Sequence, residues 1–198
     1  GHFIYAGTGA QSTGNGMPLT MQTFRVNKPS GTLTITGTTP VILYIKDSLY
    51  LQQGATNLSN AITKIGGNFV IDNGATFIPG TRRIQYLGTN PFAHNNADTT
   101  QWESVVVFNG PGTQYIRGTY NDALQPLVFN RISMNKPSGE VISHFHITTP
   151  IFWFKIPNRA NFNVFNYNKR LMVYDSTGGI YALGRYDVFL SPGNDTTM

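Results

Sequence analysis

A five-residue segment occurs twice in this chain without a single change. Asn27-Lys28-Pro29-Ser30-Gly31 returns as Asn135-Lys136-Pro137-Ser138-Gly139, 108 residues later (135 − 27). The similarity extends upstream, where residues 5–11 parallel 108–114, and downstream, where residues 38–45 parallel 148–156. Self-similarity at a fixed spacing predicts a repeat architecture. We expect a first unit in residues 1–107 and a partial second unit, continuous with the first, in 108–198.

The repeated pentapeptide predicts a tight turn. Proline pushes the residue before it toward an extended conformation and fixes its own φ, and a glycine closes the turn. Each Lys-Pro-Ser-Gly segment therefore predicts a type I turn between two strands. We interpret all ten residues of the two copies as structural turns and assign no ligand role to Lys28 or Lys136.

Composition and hydrophobic pattern favour strands. Only 12% of the 198 residues are charged, while 21 are glycine, 11 are proline and 13% are aromatic. In residues 32–36, Leu33 and Ile35 alternate with threonines, which is typical of a strand buried on one face. The expected fold is all-β, a parallel β-helix or solenoid with unequal coils. Two tandem β-sandwich domains are the alternative, because the 108-residue unit is close to the size of an immunoglobulin-like sandwich.

Little in the sequence points to catalysis. The chain has no cysteine, which excludes disulfides, cysteine zinc sites and thiol nucleophiles. Its nine carboxylates are dispersed along the sequence, whereas a glycoside hydrolase needs two carboxylates that flank one glycosidic bond. We therefore expect no enzyme and no cofactor, with a polysaccharide-cleaving β-helix as the alternative.

Charge and hydropathy limit the partners. The net charge of +5 favours an anionic partner such as an acidic polysaccharide, a lipid headgroup or nucleic acid. The basic residues do not form the basic and aromatic stripe of a nucleic-acid groove, so nucleic acid is not expected. A membrane span is not expected either, because no apolar run approaches about 18 residues.

Two sets of side chains are candidates for binding. His144 and His146 are two residues apart on a predicted strand and Glu140 has the same parity, which makes these three a candidate metal site. An exposed polar strand face is the alternative. The aromatic side chains of Tyr44, Trp102 and Trp153 are candidates for stacking on sugars, with core packing as the alternative.

Four further segments share glycine, asparagine and aromatic residues in an ordered spacing. They are residues 66–80 (GGNFVIDNGATFIPG), 105–110 (VVVFNG), 114–118 (QYIRG) and 129–139 (FNRISMNKPSG). Together they resemble the repeat of large Bacteroidota cell-surface proteins, with Phe69 standing where that family usually has tryptophan. The resemblance covers most of residues 1 to about 150.

The resemblance implies an extracellular or cell-surface location reached through type IX secretion. It implies a structural or adhesive segment of a β-helical stalk, of the gliding-adhesin sort, whose partners are neighbouring repeats of a longer chain, other copies, or surface glycans. A carbohydrate-binding or carbohydrate-active β-helix module is the alternative function. The same resemblance implies O-glycosylation after aspartate, for which the candidates are Ser48, Thr99, Ser176 and Thr196.

Overall fold

A computed structural model describes residues 1–37, 41–90, 92–95, 102–119, 127–145, 147–149, 152–154, 161–163, 171–174 and 180–183. Within these ranges the chain forms strands and no helix. The strands are β1 (His2–Tyr5), β2 (Gln11–Ser12), β3 (Thr20–Thr34), β4 (Val41–Asn57), β5 (Ala61–Ile65), β6 (Asn68–Ile78), β7 (Arg83–Tyr86), β8 (Phe92–His94), β9 (Trp102–Phe108), β10 (Gln114–Arg117), β11 (Leu127–Met134), β12 (Glu140–Ser143), β13 (Ile147–Thr149), β14 (Phe152–Phe154), β15 (Asn161–Asn163), β16 (Leu171–Tyr174) and β17 (Ile180–Leu183).

The strands stack in parallel from coil to coil. Successive partners in one column are 20 to 27 residues apart, as from Leu49 to Phe69 (20) and from Trp102 to Phe129 (27). Only β16 and β17 pair antiparallel among the described strands. The chain is thus a β-solenoid of about five turns, which confirms the predicted fold class. The tandem-sandwich alternative is wrong, because sandwiches are built from antiparallel strands.

Each coil crosses three faces. Face 1 is the column of strands that stacks on β1, face 2 the column that stacks on β2, and face 3 the column that stacks on residues 20–21. The long strand β4 crosses all three, with residues 41–45 on face 3, 48–51 on face 1 and 55–57 on face 2. The predicted boundary between residues 107 and 108 falls inside β9, and the division into two units stays a prediction.

Alternation of side chains places the core inside the coils. In β5, for example, Ala61, Thr63 and Ile65 are buried and the residues between them point outward. The same alternation stacks large apolar side chains from coil to coil, and the rings of Phe69 and Phe92 lie 4.7 Å apart with 9° between their planes. Burying a side chain of this kind contributes about 1.5–3 kcal/mol. The core that results is continuous through the described coils.

Candidate functional site

Two lysines lie inside the protein. Lys28 is 0% exposed, and its Nζ donates hydrogen bonds to the carbonyl oxygen of Gly7 (2.9 Å) and to Oε1 of Gln11 (2.7 Å). Lys136 is 1% exposed, and its Nζ donates to the carbonyl oxygen of Gly110 (2.8 Å) and to Oε1 of Gln114 (2.7 Å). We call each of these arrangements of glycine, glutamine and lysine a lysine corner. In both, the lysine comes from the later coil and its partners from the earlier one.

The glutamine of the second lysine corner is held in a fixed orientation. Its Nε2 donates to the carbonyl oxygens of Tyr86 (2.9 Å) and Gly88 (2.6 Å), one coil earlier. With both amide hydrogens used in this way, Oε1 is left to accept from Lys136. The side chains of Gln114 and Lys136 therefore connect three successive coils.

Burial changes the acid–base behaviour of the second lysine corner. Desolvation lowers the pKa of Lys136 to about 8, because the charged ammonium loses its hydration. Burial also raises the pKa of Tyr86, so its phenol stays neutral over the physiological range. The hydroxyl of Tyr86 has no hydrogen-bond partner among the described residues.

Glycines let the coils approach at these positions. Gly31 and Gly139 close the two pentapeptides with φ of +77° and +75°. A Cβ on Gly31 would lie 2.3 Å from the carbonyl carbon of Gly9, and one on Gly139 would lie 2.2 Å from the carbonyl oxygen of Gly112. Both the backbone conformation and the contact therefore require glycine.

The two lysine corners occupy different places in the fold. Lys28 lies between face 1 and face 2, after residues that pair with β1 and before residues that pair with β2. Lys136 lies between face 3 and face 1, after residues that pair with β9 and before residues that pair with β10. The same arrangement of hydrogen bonds is thus built at two different corners of the solenoid.

The prediction of a turn between two strands is wrong for the first pentapeptide, because residues 27–31 lie inside β3. At the first copy the pairing register with β4 shifts, so that residues 28–31 stand opposite Gly54 alone. The second copy lies between β11 and β12. Sequence reasoning missed that both lysines are buried. The signal was the recurrence of Gln11 as Gln114 beside the recurring lysine, since a buried lysine needs an acceptor.

The premise of the candidate metal site is wrong in one respect. β12 ends at Ser143, so His144 lies in a bend and not on a continuous strand with Glu140. His146 lies outside the described residues. The described part of the chain contains no group of three or more histidine, aspartate or glutamate side chains that could hold a metal ion.

The three candidate sugar-stacking residues are placed differently. Trp102 is 2% exposed and packs among core rings, so the prediction that it stacks on sugars is wrong. Tyr44 is half-buried and points outward on face 3. Trp153 belongs to β14, which continues the column of Tyr44, but its side chain lies outside the described part.

One of the four glycosylation candidates is contradicted by burial. Ser48 is 1% exposed, and its Oγ accepts a hydrogen bond from Nδ2 of Asn68 (3.1 Å). A glycan cannot be attached to that hydroxyl in the folded chain, because the hydroxyl has no access to solvent. Thr99, Ser176 and Thr196 lie outside the described residues.

Comparison with known proteins adds no assignment. No protein-family model matches the chain, and neither a curated protein nor a solved structure matches it. None of the described residues belongs to a helix long and apolar enough to cross a membrane.

Proposed function

We propose that the chain is a structural or adhesive segment of a large secreted bacterial cell-surface protein, and that it is not an enzyme. The observation that carries this proposal is the continuous core of parallel coils, in which every coil rests on the one before it. Such a fold grows in length by adding coils without changing its cross-section. A stalk that holds a binding surface away from a cell needs that property.

The partners proposed for the ends of the segment are further coils, from a longer chain or from another copy. β1 pairs with β3 on one edge, and within the described residues no strand pairs with its other edge. An edge of this kind presents unpaired N–H and C=O groups to another strand. These groups support stacking as the mode of assembly.

The finer proposal concerns location. We place the protein outside the cell, exported by type IX secretion as a gliding-adhesin-like repeat protein, on the strength of the four segments that resemble Bacteroidota surface repeats. Glycosylation of Thr99, Ser176 or Thr196 belongs to the same proposal.

Surface labelling of intact cells tests the location. An antibody against the segment should label unpermeabilised cells that express it, and external protease should remove the signal while a cytoplasmic protein stays intact. Labelling that appears only after the cells are permeabilised would contradict the proposal.

A carbohydrate-binding module is the second candidate function. The observation that favours it is the outward position of Tyr44 on face 3, because an aromatic ring at a flat surface can cover the apolar face of a sugar.

Cleavage of a polysaccharide would need two carboxylates at one glycosidic bond. The described carboxylates lie on separate strands, with Asp47 in β4, Asp72 in β6, Glu103 in β9 and Glu140 in β12. Binding without release of reducing sugar ends would separate this candidate from a polysaccharide-cleaving β-helix.

A further inference from the structure

The outer surface of face 3 brings positive charge and apolar side chains together. Strand pairing places Tyr44, Lys64 and Gln85 in one outward column. The neighbouring outward column contains Ile42 and Ile62, which pair with each other. Because Thr63 pairs with Ile84, the preceding residues Ile62 and Arg83 also lie opposite each other, and Arg83 continues this column. We call these six residues the basic surface.

The cations of the basic surface are close to each other. Lys64 and Arg83 stand on adjacent strands and two positions apart along them. A strand spacing of about 4.8 Å and a rise of about 3.3 Å per residue put their Cα atoms about 8 Å apart. Two anionic groups on neighbouring units of one polymer can therefore contact both side chains.

The charge of the basic surface is not neutralised by the protein. Neither Lys64 nor Arg83 forms an ion pair within the described residues, and Arg83 is exposed. Face 2 provides the contrast, because its outward columns there contain no charged residue: Ser12, Thr34, Asn57 and Ile78 in one, and Thr32, Ala55 and Thr76 in the other. These positions of face 2 therefore lack the positive charge of face 3, whereas one outward column of face 1 contains Arg25 and Arg117.

Apolar contacts adjoin the two cations. Ile42 is 50% exposed, and Tyr44 lies beside Lys64 in register. A guanidinium binds a carboxylate or sulfate with two parallel hydrogen bonds, while tyrosine and isoleucine cover the apolar C–H face of a sugar ring. Gln85 adds an amide that can both donate to and accept from hydroxyl groups.

We infer that the basic surface binds an acidic polysaccharide, one whose sugar units carry carboxylate or sulfate groups. The polymer runs across the strands of face 3, so that successive units contact successive coils. This inference rests on the adhesive role proposed above and names its partner. Nucleic acid fits the surface less well, because its binding depends on many phosphate contacts and here two cations adjoin an aliphatic and aromatic patch.

The test uses the whole chain and surface-immobilised polymers. Hyaluronan, polygalacturonate and heparin serve as acidic probes, dextran as the neutral probe and single-stranded DNA as the phosphate probe. We compare the double variant Lys64→Gln/Arg83→Gln with Arg25→Gln/Arg117→Gln. The control variant removes the same charge from one outward column of face 1.

The expected result is binding to at least one acidic polysaccharide that is weakened about tenfold or more by Lys64→Gln/Arg83→Gln and about twofold or less by the control, with the difference shrinking at high salt. Equal weakening by both double variants overturns the inference, because it would mean non-specific attraction by net charge. Tightest binding to single-stranded DNA, or no binding to any acidic polymer at low salt, also overturns it.

Failure of the inference and failure of the proposed function give different results. A chain that is displayed on the cell surface but binds none of the acidic polymers refutes the basic surface alone. A chain found inside the cell refutes the proposed function, whatever it binds in vitro. Circular dichroism of both double variants confirms that folding is unchanged.

Discussion

At the scale of single residues, the buried lysines are the polar groups whose hydrogen bonds link one coil to the next. A buried ammonium is costly, and the glycine carbonyl and glutamine Oε1 that Lys28 and Lys136 contact offset part of that cost. A hydrogen bond to a charged group contributes about 1.5–3 kcal/mol. The hydrogen bond between lysine and glutamine therefore contributes to the attachment of one coil to the next only when both residues are present.

Raising the pH from 7 to 10 should stabilise the protein relative to its Lys136→Met variant. The pKa of Lys136 is about 8 in the folded chain and 10.5 in the unfolded one, so between these values the unfolded chain binds a proton that the folded chain does not. Stability must then rise with pH across this window, by about 1–3 kcal/mol. Denaturant unfolding of both proteins at pH 7, 8.5 and 10 measures the difference, in which other titrating groups cancel. A difference that stays constant or falls with pH contradicts the assignment.

Replacing Tyr86→Phe should stabilise the protein by about 1 kcal/mol, because it removes a buried hydroxyl that has no partner among the described residues. Thermal unfolding followed by circular dichroism measures the change. Tyr44→Phe is the matched control, because Tyr44 points outward on face 3, and it should alter stability by less than about 0.5 kcal/mol. Clear destabilisation by Tyr86→Phe would show that the hydroxyl has an acceptor.

At the scale of elements, the corners restrict the choice of residue at particular positions more than the strands do. A strand needs only alternation, but a lysine corner needs a lysine that extends back to the previous coil and a glutamine that accepts its hydrogen bond. The pentapeptide that contains each lysine also needs a glycine at a positive φ. Gly31 and Gly139 are the most restrictive of these positions, because a side chain there would enter the backbone of the previous coil.

Gly31→Ala and Gly139→Ala should each destabilise the protein by more than about 2 kcal/mol, since left-handed strain alone costs about 1 kcal/mol and the contact adds to it. Gly14→Ala isolates the strain, because Gly14 has φ of +62° and no atom lies within 4 Å of the place an alanine Cβ would take. Gly16→Ala controls for both effects, since its surroundings are equally open and its φ is ordinary. Chemical denaturation of the four variants gives the order of stability, and equal losses at Gly14 and Gly139 would refute the contact argument.

The strands could be predicted from the sequence, and the corners only in part. Alternation in residues 32–36 and the turn residues of the pentapeptide predicted an all-β solenoid because both signals are local. The burial of Lys28 and Trp102 could not be predicted, since it depends on which residue of another coil lies opposite. The placement of Tyr44 beside Lys64, and of Arg83 on the next strand, follows from coil lengths that vary between 20 and 27 residues, and the sequence does not display that register.

At the scale of the whole molecule, one cluster of rings joins several coils. Trp102 lies 5.1 Å from Phe77, 5.3 Å from Phe92 and 5.2 Å from Phe129 between ring centroids, and these residues belong to three successive coils. In a solenoid, stability is close to a sum over neighbouring coils, so a shared side chain couples them.

Trp102→Ala should lower stability by about 3–5 kcal/mol and divide a single unfolding transition into two, because it opens a cavity between the coils on either side. Differential scanning calorimetry shows both effects. Phe3→Ala is the control, because Phe3 is only partly buried in the first coil, and it should cost less and keep one transition. A single transition in Trp102→Ala would mean that the coils are coupled elsewhere.

The first lysine corner lies between faces 1 and 2, and the second lies between faces 3 and 1. From the first to the second, the chain completes four full turns and then crosses two more of the three faces, which is two thirds of a turn. A longer chain assembled from such 108-residue units would carry each outward feature to a different side at every repeat. Equivalent binding surfaces would then be rotated about the solenoid axis by two thirds of a turn from one unit to the next, and would return to the same side after three units. A filament of this kind can meet a ligand from any direction without swivelling.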